Sequence, residues 1–270
     1  MENQVKMGID AGGTLIKAVI SENGSIRVKS FSTSRMTDAV DWIKAHYDHA
    51  EICATGGKAN QLLQCLGLGG KQIVEFDATC RGVEYLCNEK PLLHVPYIIT
   101  NVGTGTSIHL IEEHGHRRLG GTGVGGGTIM GLSFLMTGIQ EFEKIVQLAK
   151  DGNRSSIDLT VAHVYEGAVP PIPGDLTASN FGRVQSSEQR PEDLLASVIG
   201  MVGETVSTAS VLAADPYHVS TIVYIGSSFI QNPILRKVVA DYTKLRGAEP
   251  LFVENGEYSG AMGALLSLEE

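Results

Sequence analysis

The chain of 270 residues lacks the features that mark secreted, membrane-spanning and disulfide-linked proteins. Its N-terminal segment has no long apolar stretch of the kind found in signal peptides, and no apolar run is expected to reach the length of a membrane span. No CxxC pair is present, and the cysteines are Cys53, Cys65, Cys80 and Cys87. We therefore expect a cytoplasmic protein with reduced, mostly buried thiols.

Positive charge is scarce in this sequence, with 21 lysines and arginines against 30 aspartates and glutamates and a net charge of −9. No basic stripe stands out, so no binding of nucleic acid is expected. A phosphate-bearing ligand is still compatible with this charge, because backbone N–H groups and a bound metal ion can supply a local positive field. Aromatic residues make up only 6%, but the apolar share of 43% is ordinary for a globular protein.

Glycine, by contrast, is abundant: 32 glycines are present, and many cluster between 103 and 131. Such a cluster predicts specific backbone conformations instead of low complexity. Along the rest of the chain, β-rich runs mix with helical patterns, which is typical of an α/β protein. The predicted elements that matter most below are a strand at 72–76 (QIVEF), a helix at 78–88, a loop at 165–190 and a long helix at 191–214.

Two segments of the chain share one plan. Residues 7–20 (MGIDAGGTLIKAVI) and 98–111 (IITNVGTGTSIHLI) each contain a β-rich run, a polar residue, a glycine-rich turn and a second β-rich run. In this alignment Asp10 matches Asn101. The shared plan predicts two lobes that each open with a glycine hairpin. Two such hairpins facing each other across a cleft would hold a polyphosphate between two sets of backbone donors.

The first hairpin carries the residue types needed for metal and phosphate binding. Asp10 at the end of a strand can hold Mg²⁺, and the glycines that follow let backbone N–H groups approach phosphate oxygens. Thr14 adds a hydroxyl group, and Lys17 can reach a phosphate from the next strand. The same residue types also make ordinary β-turns. The second hairpin, 101–107 (NVGTGTS), alternates glycine with hydroxyl residues, and the two motifs together favour binding of a nucleoside triphosphate.

A third glycine cluster, 120–131 (GGTGVGGGTIMG), precedes a helical pattern whose N-terminal amides can bind an anion. It contains a GxGxxG pattern, but no acidic residue follows at a strand end about twenty residues later, which argues against a dinucleotide-binding Rossmann fold. No GxxxxGK[ST] motif is present. Ser227, in YIGSSF, lies at a strand-to-helix junction that can accept an adenine or ribose, although helix capping is the commoner role of such a serine.

Glu75 and Arg118 are the candidate catalytic residues. Glu75, in VEFDA, is predicted at a strand end, where a carboxylate can accept the proton of an attacking hydroxyl group. Asp77 competes for this role but also fits the N-cap of the next helix. Arg118 can bind an anionic substrate or stabilise a phosphate during its transfer. His114 and His116 lie two positions apart without a third ligand nearby, so we interpret them as surface histidines.

Seven short motifs occur in one order along essentially the whole chain. They are DAGGT from Asp10, VEFDA with Glu75, NVGTGTS from Asn101, RRLGGTGVGGG from Arg117, PIPGDLTASNFG from Pro171, YIGSSF from Tyr224 and ENGEYSGAMGAL from Glu254. In this order they resemble the type II pantothenate kinases of Bacillus and Staphylococcus type. Single motifs are shared across a wider fold, but VEFDA, RRLGGTG and PGDLTASNFG together are specific to this family.

The resemblance implies a two-lobed, actin-like (ribonuclease H-like) α/β fold of the actin, Hsp70 and sugar kinase superfamily, with mixed sheets flanked by helices. It divides the chain into lobes 1–95 and 96–270. It further implies a homodimer that uses ATP and Mg²⁺ to phosphorylate pantothenate at its terminal hydroxyl group, the first committed step towards coenzyme A. The expected partners are therefore pantothenate, ATP and a second copy of the chain, with neither nucleic acid nor membrane.

The resemblance also assigns roles to individual positions. Glu75 matches the catalytic base, Arg118 matches the arginine that holds pantothenate, and Asp10 is the expected metal ligand. Thr177 and Tyr242 match substrate contacts, with Tyr242 reaching the site from the dimer interface. The expected nucleotide-binding positions are Asp10, Ala11, Gly12, Gly13, Thr14, Leu15, Ile16, Lys17, Thr104, Gly126, Gly127, Thr128, Ile129, Met130, Ser227 and Phe142, the last of which stands where the family commonly has a tyrosine.

Other interpretations of the same residues remain open at this point. One is another kinase of the fold, such as an N-acetylhexosamine or glucose kinase, although those enzymes usually use an aspartate as the base. A second is a non-catalytic ATP-dependent switch related to actin or Hsp70, in which Glu75 and Arg118 would be incidental. The third is an activator ATPase with an iron–sulfur cluster between protomers, which would need a suitably placed pair of cysteines.

Overall fold

The computed structural model describes residues 5–67, 70–87, 96–186 and 188–269, which form an α/β structure. Its strands are β1 (Lys6–Ala11), β2 (Leu15–Glu22), β3 (Ser25–Ser32), β4 (Glu51–Thr55), β5 (Lys71–Gln72), β6 (Tyr97–Val102), β7 (Thr106–Glu112), β8 (Gly115–Thr122), β9 (Leu159–Thr160), β10 (Thr177–Ser179), β11 (Thr221–Ile225) and β12 (Glu249–Phe252). Its helices are α1 (Met36–His46), α2 (Ala59–Leu66), α3 (Glu75–Cys87), α4 (Gly126–Thr137), α5 (Phe142–Ala149), α6 (Val161–Tyr165), α7 (Pro191–Ala214), α8 (Pro233–Leu245) and α9 (Ser259–Leu266).

Two five-stranded sheets have the same strand order. The first is β3-β2-β1-β4-β5, and the second, taken from its β8 edge, is β8-β7-β6-β11-β12. In each sheet three strands form an antiparallel meander, and the other two strands add in parallel. The similarity between residues 7–20 and 98–111 therefore reflects a repeat of one sheet topology, as the sequence pattern predicts.

The glycine hairpins occupy equivalent places in the two sheets. Asp10 pairs with Lys17 across β1 and β2, and Asn101 pairs with Ser107 across β6 and β7. This register confirms the alignment of Asp10 with Asn101. Because β1 is parallel to β4 and β6 is parallel to β11, each hairpin lies at the carboxyl end of parallel strands. That edge is where open α/β sheets bind ligands.

Separate apolar cores support the two sheets. Ile9, Ile43 and Leu62 are buried where α1 and α2 cover the first sheet. A larger cluster, which includes Val202, joins α7 and α8 to one face of the second sheet. Val83 of α3 belongs to a cluster on the other face of that sheet. Burial of this apolar surface is the main favourable term in folding, so both hairpins project from well-packed elements.

The C-terminal helix α9 returns to the first sheet and also packs against α3. A Cβ atom at Gly8 in β1 would lie 2.0 Å from the carbonyl oxygen of Ala261, and one at Gly82 in α3 would lie 1.9 Å from that of Ser259. Since only glycine allows such close approach, these positions let α9 lie directly on both elements. The predicted division into lobes 1–95 and 96–270 stays a prediction, because residues 88–95 lie outside the described ranges.

Helix α7 has the length and composition of a membrane span. Together with the following turn it runs from Pro191 to Tyr217 and contains a stretch of mean hydropathy 1.5. The expectation that no apolar run reaches this length is therefore wrong by length and composition. In the structure, 67% of that stretch is buried against the rest of the protein, and the core helices of soluble proteins have the same composition.

The start of α3 differs from the prediction. The strand predicted at 72–76 is confined to Lys71–Gln72, and the helix begins at Glu75. The Ile73 N–H makes the last backbone hydrogen bond to β4, at the Ala54 carbonyl, and the Ile73 carbonyl then accepts from the Thr55 hydroxyl. Acidic side chains then fall in the first turn of the helix, where the helix dipole favours them. Glu75 is thus at a helix start and not at a strand end.

Two further predictions need correction. One concerns Asp77 at the start of α3, and the other concerns the loop at 165–190. Asp77 is the third residue of α3, so it is inside the first turn and not the N-cap. The segment 165–190 is mostly irregular, but it contains β10, which pairs with β9. Thr177 lies in β10, so a predicted substrate contact is held by a short two-stranded sheet.

Candidate active site

A cavity of about 350 Å³ opens between the two glycine hairpins and the start of α3. The hairpins meet in it, since the hydroxyl groups of Thr14 and Thr104 lie 2.8 Å apart in a hydrogen bond. The cavity brings together most of the predicted phosphate-binding positions with the predicted base. Its lining residues are Asp10, Gly12, Gly13, Thr14, Leu15, Lys17, Glu75, Phe76, Asn101, Gly103, Thr104, Gly105, Thr106, Ser107, Thr122 and Ser227.

Asp10 and Lys17 form the charged part of the first hairpin. The Lys17 ammonium lies 2.8 Å from the Asp10 carboxylate, and the two side chains are only 14% and 13% exposed. The same ammonium donates a hydrogen bond to the carbonyl oxygen of Glu257 at 2.9 Å. Gly56, at φ +92°, and Gly260 leave room around this carboxylate, because a Cβ atom would lie 2.7 and 3.1 Å from its oxygens. The pair is therefore held in place while it still borders the cavity.

Ala11 and Ile16 also belong to the predicted phosphate loop, but their side chains face away from it. Both are buried in the core behind the first sheet, at 0% and 1% exposure. Successive side chains of a strand point to opposite faces, so these two residues pack while Asp10 and Lys17 face the cavity. They can contact a ligand only through the backbone.

Glu75 has an altered acidity in this cavity. Partial removal of its carboxyl group from water raises its pKa, the negative charge of Asp10 raises it further, and Lys17 offsets part of the effect. A carboxyl group with a raised pKa is a stronger base than an ordinary glutamate. This shift suits a residue that accepts a proton near neutral pH.

The second hairpin is held by backbone donors of the third glycine cluster. The N–H groups of Gly126 and Gly127, at the start of α4, donate to the carbonyl oxygens of Gly103 and Thr104 at 2.8 and 2.9 Å. The Ser228 hydroxyl donates to the Gly103 carbonyl at 3.0 Å. These two helix amides therefore stabilise the loop, and they are not free to bind an anion.

The remaining positions predicted to bind nucleotide lie outside the cavity lining. Gly126, Gly127, Thr128, Ile129 and Met130 form the first turns of α4. Ile129 is buried in the second core, and Met130 and the nearby Phe142 are partly buried against it. Ser227, by contrast, does line the cavity. A role of 126–130 and Phe142 in binding the base of a nucleotide stays a prediction.

Arg118 lies on β8 and is not among the residues that line the cavity. Its guanidinium carbon is 5.9 Å from the centre of the Phe76 ring, which lines the cavity. Its side chain is exposed, and within the described ranges it makes no ion pair. Arg117 instead stacks on Tyr217 at 5.0 Å. Arg118 is therefore a positive charge available to an anionic ligand, and it is joined to the cavity through the Phe76 ring.

Thr177 and Tyr242 come together at a second cavity of about 390 Å³, lined in part by Thr177. The Thr177 N–H donates to the Tyr242 hydroxyl at 3.2 Å, and the Thr177 hydroxyl donates to Glu204 at 2.8 Å. Glu204 also pairs with Arg154, which in turn binds the buried Asp158. Neither predicted substrate contact lines the first cavity.

Several residues that line the two cavities or support their lining residues are not indicated by the sequence pattern. Phe76 gives no signal beside the charged residues that flank it. Arg154 and Glu204 are 50 positions apart, and nothing in their local sequence pairs them. The glycines at 56 and 260 are visible in the sequence, but their closeness to Asp10 appears only in three dimensions.

The fold defines the class of protein to which the chain is similar. The activator of the 2-hydroxyisocaproyl-CoA dehydratase from Clostridium difficile, solved with bound ADPNP, is similar over 98% of this chain and 94% of that one, with a TM-score of 0.64 and 16% identity. A glucokinase of the ROK family from Streptomyces griseus, in complex with glucose and AMPPNP, is similar over 97% and 98%, with a TM-score of 0.56 and 14% identity. These neighbours confirm the predicted α/β fold of the actin-like and sugar kinase class.

The family follows from closer sequence relatives. Residues 6–267 match the family described as Fumble. A type II pantothenate kinase of Staphylococcus aureus strain USA300 is 44% identical over 264 residues, which cover 97% of this chain and 98% of the relative. A protein of the same name from the bovine strain RF122 has the same identity and coverage. The chain belongs to the Fumble family of type II pantothenate kinases, and the predicted family and kinase class are confirmed.

Proposed function

We propose that this chain transfers the γ-phosphate of ATP to the terminal hydroxyl group of pantothenate, giving ADP and 4′-phosphopantothenate for coenzyme A synthesis. The observation that carries the proposal is one cavity lined by both glycine hairpins, the Asp10–Lys17 pair and Glu75. The names of the 44% identical relatives support pantothenate as the acceptor. The ATP analogues in two structural neighbours support a nucleoside triphosphate as the donor.

The two hairpins suit the triphosphate. Glycine backbones at 12, 13, 103 and 105 line the cavity. The N–H groups at 13, 103 and 105 can approach phosphate oxygens, whereas the Gly12 N–H already donates to the Leu15 carbonyl. The hydroxyl groups of Thr14 and Thr104 lie between the two loops. Lys17 adds a positive charge that can stabilise the negative charge developing on the phosphate during its transfer. ATP would therefore bind across both hairpins with its terminal phosphate towards Glu75.

Magnesium fits the donor set beside Asp10. Mg²⁺ is usually bound by one or two carboxylates together with phosphate oxygens and water, and Asp10 supplies a nearly buried carboxylate that borders the cavity. When bound, the ion would neutralise charge on the phosphates. Asp10 would hold it, and Lys17 would keep that carboxylate oriented.

Glu75 and Arg118 would act on the acceptor. Glu75 takes the proton of the pantothenate hydroxyl group. At the same time the hydroxyl oxygen bonds to the γ-phosphorus, and the bond between that phosphorus and the ADP oxygen breaks. Its raised pKa favours this role. Arg118 has no ion pair within the described ranges and can bind the pantothenate carboxylate. The acceptor would thus be held at one end and deprotonated at the other.

A cytoplasmic homodimer completes the proposal. Thr177 and Tyr242 are hydrogen-bonded to each other at the second cavity and do not line the first. In a homodimer these residues of one copy would contact the substrate of the other. Nucleic acid and membrane are not expected as partners, given the net charge of −9 and the burial of most of α7.

A substrate panel tests this function. ADP release would be followed with Mg²⁺-ATP and either pantothenate or a series of sugars, including glucose, and the products would be identified by mass spectrometry. We expect ADP release only with pantothenate, together with phosphopantothenate. Turnover driven by a sugar would contradict the assignment of Arg118 and Thr177. ATP binding without any acceptor-dependent turnover would favour a nucleotide-dependent switch.

A further inference from the structure

The first turn of α3 is held from outside by the hairpin of β7 and β8. Glu75, Phe76 and Asp77 are the first three residues of the helix. The Phe76 ring lies 4.4 Å from the imidazole of His109 in β7, measured between ring centres. The next residue, Asp77, accepts a hydrogen bond of 2.7 Å from Nε2 of His116 in β8. Both neighbours of Glu75 on its C-terminal side therefore contact this hairpin.

Such outside contacts matter because the first turn of a helix is its least constrained part. The first N–H groups of a helix have no partner within it, so the turn is ordered mainly by side-chain contacts. Val74, just before Glu75, is 62% exposed and contributes little packing. The contacts of Phe76 and Asp77 are therefore well placed to set the direction of the Glu75 side chain.

His109 is suited to a packing role and not to proton transfer. It is 2% exposed, and neither ring nitrogen has a hydrogen-bond partner within the described residues. Burial, assisted by the nearby His116 and Arg118, lowers the pKa of His109 to about 4. The ring is consequently neutral near pH 7 and can pack closely on Phe76.

The same hairpin carries the proposed anchor of the substrate. Arg118 lies across from His109 in the pairing of β8 with β7, and its guanidinium group lies over the Phe76 ring. One hairpin thus touches the turn that bears the base and also carries the arginine that would hold the acceptor. Fixing both to one element fixes the distance between them.

We propose that His116 and His109 are positioning residues, which hold Asp77 and Phe76 so that the Glu75 carboxylate points at the acceptor hydroxyl. The inference rests on the proposed function, since it needs Glu75 to be the base. The His116–Asp77 contact is the better one to test. Its side chains are 28% and 45% exposed, and an exposed pair contributes little to global stability.

The test compares His116→Ala with His116→Gln, whose amide can still donate to Asp77. A displacement of a reacting group by about 1 Å can lower a rate by about 10²-fold. For His116→Ala we expect a fall in kcat of about 10-fold or more, with an unchanged KM for ATP and an unchanged melting temperature. His116→Gln should restore most of kcat. His114→Ala is the matched control, because His114 is exposed in the turn of the same hairpin.

A double-mutant cycle with Glu75→Gln separates positioning from a general effect. If His116 acts through Glu75, His116→Ala should have no further effect once Glu75 is replaced. An equal fall in both backgrounds, or no fall in the wild-type background, would overturn the inference. If Glu75→Gln alone keeps nearly full turnover, the proposed base fails instead, which is a distinguishable result.

Hydrogen exchange gives a readout that needs no turnover. The amides at 75–80 should exchange faster in His116→Ala than in the wild type or in His116→Gln, because the first turn of α3 loses its outside contact. The amides of α9 should not change. Unchanged exchange at 75–80 in His116→Ala would overturn the positioning role whatever substrate the enzyme uses.

Discussion

The two glycine hairpins have the same place in their sheets but different chemistry. In the first, the Asp10 carboxylate and the Lys17 ammonium pair across the strands at 2.8 Å. In the second, the equivalent cross-strand pair is Asn101 and Ser107, which carry no charge. The sheet order around them is the same. The two hairpins therefore share a fold but differ in side chains. The first places charged groups at the cavity, and the second places neutral hydrogen-bond donors and acceptors there.

This difference matches the needs of a polyanionic ligand. Among the described residues that line the cavity, the carboxylates of Asp10 and Glu75 stand against the single ammonium of Lys17. A further carboxylate at position 101 would repel phosphates, whereas amide and hydroxyl groups can bind them without adding charge. We infer that the first hairpin binds the metal ion and balances the phosphate charge, and that the second hairpin positions the phosphates through neutral hydrogen bonds.

The largest effect is expected from removing the charge of the first hairpin. Asp10→Asn keeps the size of the side chain but loses the carboxylate, and kcat should fall by about 10²–10³-fold, as for other groups that stabilise transition-state charge. Asn101→Ser, at the equivalent neutral position, is the matched control and should cost far less. Steady-state kcat at saturating ATP and Mg²⁺ measures both. Equal losses at the two positions would break the comparison.

Lys17→Met should have the next largest effect. A hydrogen bond to a charged group contributes about 1.5–3 kcal/mol, so kcat/KM for ATP should fall by about 10- to 100-fold. Ser107→Ala removes the equivalent side chain of the second hairpin and should change the same ratio much less. A larger loss in Ser107→Ala than in Lys17→Met would show that the neutral hairpin carries the phosphate contacts.

The pH dependence of activity should report the same charges through Glu75. Glu75 must be ionised to accept a proton, and its pKa is raised above the ordinary value of 4.5, so activity should fall on the acid side at a higher pH than for an ordinary glutamate. Lys17 lowers this pKa, so Lys17→Met should move the acid limb of kcat to higher pH. An acid limb that stays at the same pH or moves to lower pH in Lys17→Met would contradict the coupling between Lys17 and Glu75.

The smallest effect is expected where the two hairpins touch. Thr14→Val or Thr104→Val removes the hydrogen bond of 2.8 Å between the loops, and each should lower the free energy of unfolding by about 0.5 kcal/mol, the low end for a hydrogen bond because the pair is exposed. The double variant should lose no more stability than either single one. Urea unfolding of all three variants measures this, and additive losses would mean that the hydroxyl groups have separate partners.

The repeat and the first hairpin were predictable from the sequence because their signals are local. Asp10 and Lys17 flank a glycine turn at a spacing that a hairpin brings face to face, and the same plan recurs at Asn101. The long α7 was predictable from the helical pattern over 191–214, and its proline stands in the first turn, where a helix tolerates it.

The start of α3 was not predictable from local pattern. The run QIVEF is as apolar as a strand, but pairing of β5 stops after two residues, and the Ile73 carbonyl accepts from the Thr55 hydroxyl instead. In the first turn of the helix that follows, Phe76 contacts His109 of β7 and Asp77 contacts His116 of β8. Those contacts join segments more than thirty residues apart, and the sequence alone does not reveal them.

The outer parts of the site show the same limit. Thr177 and Tyr242 are hydrogen-bonded to each other at the second cavity, 65 positions apart in the chain. Glu204 of α7 accepts hydrogen bonds from Thr177 and from Arg154, and no short motif encodes these contacts. The family resemblance points to Thr177 and Tyr242 as substrate contacts, but not to the residues that hold them.

The central claim is that Glu75, beside the charged hairpin, is the base that deprotonates pantothenate. The most direct measurement is pantothenate-dependent turnover of Glu75→Gln, with ATP affinity measured on the same preparation. We predict that kcat falls by about 10²–10⁴-fold, the usual contribution of general-base catalysis, while ATP binds about as well as before. Turnover near the wild-type value would contradict the claim and remove Glu75 from the chemistry.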